Sequence, residues 1–152
     1  MSFYEILIFI HIFSAILGMG PGMFMTAVVT LSKPTNMTEL KHAFAIRNSL
    51  HSFTMIGGAL LLLTGLIMGF MNTNLFTQGW YVISLILFLI ALAFGPLLLK
   101  PRSKPIKQLF VDVEGEAIPK VYDELSRELF KYERIENVIF LIIIAMMIIK
   151  PF

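Results

Sequence analysis

Acidic and basic residues are absent from two long stretches of the chain, 6–31 and 48–99, and a polar patch, "NTNLFTQG" at 72–79, divides the second. A third apolar run, 138–149, is shorter. A helix that crosses the hydrocarbon needs about 20 residues, so the last one must begin near Phe130. The pattern predicts an all-α fold: a four-helix transmembrane bundle with helices at about 4–31, 48–71, 80–99 and 130–149, in a single integral membrane domain covering 1–152.

The segments between these runs carry their own signals. Thr38, after the break at Pro34, is a candidate N-cap, and 38–47 continues helix 2 backwards out of the membrane. "KPRSKP" (100–105) should stop helix 3 with its two prolines. The loop 100–129 is then the one sizeable soluble part. Within it Val121, Tyr122, Leu125, Leu129 and Phe130 recur at helical spacing, and Pro119 suits a first-turn position. This cytoplasmic helical segment is expected to run straight into helix 4 as a rod of about 45 Å, with its charges on a solvated face.

Composition agrees with the membrane reading. The chain is 57% hydrophobic and 14% charged, against about 25% charged in soluble domains, and its mean hydropathy is +0.83. Eleven of the twelve Lys and Arg residues lie between helices 1 and 2 or between and beside helices 3 and 4; Lys150 alone lies at the opposite end. By the positive-inside rule both basic loops are cytoplasmic and both termini are outside. Phe3, Tyr4, Trp80 and Tyr81 then sit at the outer interface as an aromatic belt. "MSFYE" has Glu5 as its only charge, so the first helix reads as retained and not as a cleaved signal. The net charge of +2 concerns topology and does not indicate nucleic acid. There is no cysteine, which excludes disulfides, Cys-ligated zinc and iron–sulfur clusters.

Candidate chemistry lies on the helix faces. At about 100° per residue, Ala15, Gly18 and Gly22 share a face with His11. On helix 2, Gly58 and Gly65 recur at steps of seven from His51. Such faces let membrane helices approach closely, and they equally suit a flat cofactor or lipid. Pro21, in "LGMGPGMFM", should bend helix 1. His11 is a histidine within a span, a functional candidate by default and a candidate axial haem ligand; His51 is a second candidate ligand near the opposite interface. Met19 and Met23, one turn apart, offer thioethers of the kind that bind Cu(I). On the cytoplasmic side Arg47 ends helix 2 where Glu136 starts helix 4, and an Arg47–Glu136 or His51–Glu136 pair would lower the cost of the acid. Both residues could instead snorkel to headgroups. No Ser-His-Asp set, HExxH, P-loop or carboxylate pair falls within the bilayer.

"FIHIFSAILGMGPG" on helix 1, "LLLLTGLIMG" on helix 2 and the closing "ELFKYERIENVIFLIIIAMMIIKPF" resemble a bacterial family of predicted integral membrane proteins, the domain of unknown function 2269. The resemblance covers most of the chain and implies a four-helix fold with no established activity. More distantly, the helix-1 histidine is similar to that of copper-resistance-D-like and HemJ-type membrane proteins, which would make His11 haem-linked; for the third-helix lysine of the HemJ type, Lys100 is the only candidate. Three readings follow. The first is a non-catalytic envelope protein of the bacterial cytoplasmic membrane, acting through lipid or partners, a second copy included. The second is a haem-b or tetrapyrrole redox protein with His11 as ligand. The third is an oligomeric channel or transporter.

Overall fold

A computed structural model describes residues 1–152, with helices throughout and no strand. The helices are α1 (Phe3–Ser32), α2 (Met37–Met71), α3 (Gly79–Phe94), α4 (Lys100–Asp112) and α5 (Val121–Ile149), with a 3-10 turn at Thr73–Thr77. A π-helical turn, Gly95–Leu99, fuses α3 and α4 into one run, so the molecule consists of four rods. Three of them are long and apolar enough to cross a membrane: Phe3–Ser32, Met37–Met71 and Gly79–Asp112. By that measure the expected fourth span falls short, because 132–149 still contains Glu133, Arg134 and Glu136.

Local chemistry explains most of the boundaries. α1 opens with a capping box. The Ser2 hydroxyl accepts the Glu5 N–H at 3.3 Å and the Glu5 carboxylate accepts the Ser2 N–H at 2.7 Å. The helix runs unbroken through Pro21 and ends at Lys33, in the left-handed region at φ 44°, before Pro34. The N-cap of α2 is Asn36 and not Thr38: the Asn36 side chain accepts the Glu39 N–H at 2.9 Å. Thr38 lies inside the first turn and donates its hydroxyl to Glu116 at 2.8 Å, while the Met37 N–H bonds the Glu116 carbonyl at 2.9 Å. The loop 113–120 is thereby tied to the start of α2.

The prolines of "KPRSKP" do not stop the third rod. A proline removes one donor and crowds the carbonyl four residues back. The π turn accommodates this by shifting the pairing one residue: the Lys100 N–H reaches the Gly95 carbonyl. Pro101 and Pro105 then fall on the exposed face, with Leu99 and Ile106 buried opposite. Most of the expected loop 100–129 is consequently helical. α5 begins at Val121 and runs 29 residues, about 44 Å, as one rod.

Apart from Phe130, the buried positions of α5 are spaced alternately four and three apart: Tyr122, Ser126, Leu129, Glu133, Glu136, Phe140 and Ile143. This is the seam of a helix packed in a bundle, and it carries two glutamates. α1 and α2 pack antiparallel, and α5 packs against α1 and α3. Two apolar cores result. One lies at the end holding the α1–α2 turn, α4 and the start of α5, and includes Val29, Phe44, Ile106 and Leu129. The other lies toward the termini and includes Met19, Leu61, Phe88 and Phe140. At the terminal end the Trp80 N–H bonds the Phe152 carbonyl at 2.8 Å, which holds the C-terminus against the start of α3.

Candidate functional site

The small-residue face of α1 is occupied by protein. A methyl group on Gly18 would lie 2.8 Å from the carbonyl carbon of Gly57, and one on Gly57 would lie 2.5 Å from the Gly18 Cα. The two backbones touch there, as at a close membrane-helix crossing. Gly58 shares the crossing through its backbone nitrogen, also 2.8 Å from that methyl group on Gly18, while the carbon added to Gly58 itself would face α3, 3.6 Å from Leu92. Gly22 is closed by Thr54 and Phe140, each 3.3 Å away on the same measure.

Two turns further along each helix from that crossing, His11 meets Thr64. Its Nδ1 lies 2.8 Å from the Thr64 hydroxyl oxygen. That hydroxyl has one proton and donates it to the Leu60 carbonyl at 2.8 Å. With its proton assigned to that carbonyl it accepts from His11, an assignment that puts the ring proton on Nδ1 and the lone pair on Nε2. Gly65 makes room for the ring, since a methyl group there would sit 3.2 Å from the His11 Cε1. The Gly65 carbonyl accepts the Tyr81 hydroxyl at 2.8 Å. Thr64–Gly65 is thus a node that ties α1, α2 and α3.

Between the two apolar cores lies a layer of buried polar side chains. The Arg47 guanidinium pairs with Glu133 across α2 and α5, and the Thr26 hydroxyl donates to the other carboxylate oxygen at 2.5 Å. Glu133 is 0% exposed and Arg47 is 5% exposed. The expected partner, Glu136, is not in this pair. Glu133 sits one turn nearer the start of α5, level with Arg47, whereas Glu136 faces a cavity of about 40 Å³ shared with His51, Thr54, Gly18 and Gly58. That space holds about one water, for which the three polar side chains are suitable partners. The Asn137 amide donates to the Met23 carbonyl at 3.3 Å, while its Oδ1 and the Arg47 Nε have no partner.

The other candidates are dispersed. Met19 is buried among Leu61, Phe88 and Phe140, with Met23 packed against the same core. Lys100 is exposed at the end of the π turn. Glu133, Thr26 and Gly57 were not among the residues expected from the sequence. The signal for Glu133 was present in the spacing Leu129, Glu133, Glu136, Phe140, which continues the apolar seam straight through the charges.

Rods of membrane length with large apolar side chains outside (Phe9, Phe13, Phe24 and Phe70 among them) and polar groups turned inward and bonded to each other define an integral membrane protein. The chain belongs to the family described as predicted integral membrane protein (DUF2269), whose profile matches residues 5–151. No curated protein and no solved structure matches it.

Proposed function

We propose that this is a four-span protein of the bacterial cytoplasmic membrane, with both termini outside, that acts without catalysis, through lipid or a partner chain. The observation that carries this reading is the fate of Glu133. A charge in a span is costly unless paired, and Glu133 is fully buried between Arg47 and Thr26. With that acid paired internally, α5 can cross as the fourth span. The same economy applies to His11 and Thr64, which bond each other across two helices. A reporter fused after Phe152 tests the placement. Activity outside the cell is expected, and activity in the cytoplasm would overturn it.

A second reading, haem b on His11, is favoured by one observation: the Thr64 bond engages Nδ1, and in the tautomer that donates to Thr64 the Nε2 lone pair can ligate. The glycine face gives it less support, because α2 and α5 already fill it. Protein purified from haem-replete cells should show no Soret band. A band that His11→Ala abolishes would replace the first reading with the second.

A further inference from the structure

Beside the first half of α5 runs a cleft of about 600 Å³ between the end of α1, the loop at 118–120 and the α5 surface. Three cations line it: Lys120, Arg127 and Arg134. They recur every seven residues, which places them on one side of the helix about 10 Å apart. None belongs to an ion pair; the two in the molecule are Arg47–Glu133 and Arg102–Glu128. Asp123 also lines the cleft and leaves it net positive. Burial pushes the Tyr122 phenol up to about 12, so this lining hydroxyl stays neutral.

Val29 and Phe130, buried side chains of the adjoining apolar core, form the floor of the cleft. Thr30 and Pro34, at its rim, mark where α1 leaves its uncharged run. The cleft therefore lies at the level where the uncharged run of α1 gives way to charge, with cations along one side and an apolar floor.

From this arrangement we infer that the cleft is a binding site for an anionic phospholipid, its phosphate held by Arg127 with Arg134 and Lys120 and the start of its acyl chains over the apolar floor. A free phosphate shares the headgroup chemistry but would make no use of the apolar floor. The inference rests on the four-span placement proposed above, which sets the basic end in the cytoplasmic leaflet.

The test is native mass spectrometry of the full chain in detergent mixed with phosphatidylglycerol or phosphatidylcholine. Each cation near a lipid surface is worth a factor of about five, so retention should favour phosphatidylglycerol by at least about tenfold. Lys120→Ala/Arg127→Ala/Arg134→Ala should abolish the preference while keeping the wild-type melting temperature. Lys104→Ala/Lys107→Ala, which removes two exposed cations of α4 outside the cleft, should leave the preference intact. Equal retention of both lipids by the wild type, or a preference that survives the triple substitution, would overturn the site. Displacement of the lipid by millimolar inorganic phosphate would assign the site to free phosphate and overturn the lipid as occupant. Lipid preference in detergent does not depend on orientation, so failure here and failure of the C-terminal reporter are separate results.

Discussion

The Arg47 guanidinium and the Glu133 carboxylate, on α2 and α5, form an ion pair in which neither side chain is more than 6% exposed. Removing one partner of such a pair leaves an uncompensated buried charge and costs about 3–5 kcal/mol, whereas replacing both with apolar groups is often neutral. Arg47→Met alone should therefore lower the melting temperature in detergent sharply. Arg47→Met/Glu133→Leu should recover most of the loss. A double variant no more stable than the worse single one would show that the pair does more than compensate charge.

Gly57 and Gly20 should respond in opposite directions to the same substitution. An alanine at Gly57 would run into the Gly18 backbone, while one at Gly20 meets nothing within 4 Å. Overpacking costs about 1–3 kcal/mol, and Gly→Ala in a helix otherwise gains up to about 1 kcal/mol. Thermal melts of the two single variants check the sign of each.

His11 and Thr64 should show energetic coupling. Interhelical hydrogen bonds in membranes average about 0.6 kcal/mol and reach about 1.7. A cycle of His11→Ala, Thr64→Val and the double variant, read by reversible unfolding, should give a coupling in that range. Additivity would mean that the ring is held by packing against Gly65 instead of by the bond.

The cap of α2 should be pH-dependent. Hydrogen bonds from the Thr35 N–H and then the Thr35 hydroxyl, at 2.7 and 2.9 Å, hold the Glu39 carboxyl below its ordinary value. A depressed carboxylate stabilises the fold above its unfolded pKa and loses that effect as pH falls through the folded one. Protection of the Thr35 amide against hydrogen exchange should persist down through the ordinary glutamate range near about pH 4.3 and collapse only below it. Glu39→Gln should remove the pH dependence.

The rods were legible because uncharged runs of membrane length leave few alternatives, and the α5 rod followed from apolar spacing through Leu129 and Phe130. The third rod runs on past the expected stop because a π turn just before Pro101 shifts the pairing, while Pro105 is carried inside α4 itself. The polar layer was only half legible. Arg47 stood out as a charge beside a span, but the choice between Glu133 and Glu136 depends on the relative height of α2 and α5, which no local pattern encodes. Gly57 and Gly58 pose the same difficulty: both backbones meet Gly18, but only at Gly57 would a side chain run into it, and the crossing point of α1 decides which.

The distance along the chain between Arg47 and Glu133 has a consequence for biosynthesis. They are 86 residues apart, so at about 5–20 residues per second the ribosome adds Glu133 roughly 4–17 s after Arg47. During that interval α2 carries a cation with no acid to meet it, and a chain halted before α5 keeps it permanently. The ion pair thus distinguishes a finished chain from a truncated one, because it can close only after the last helix has been made.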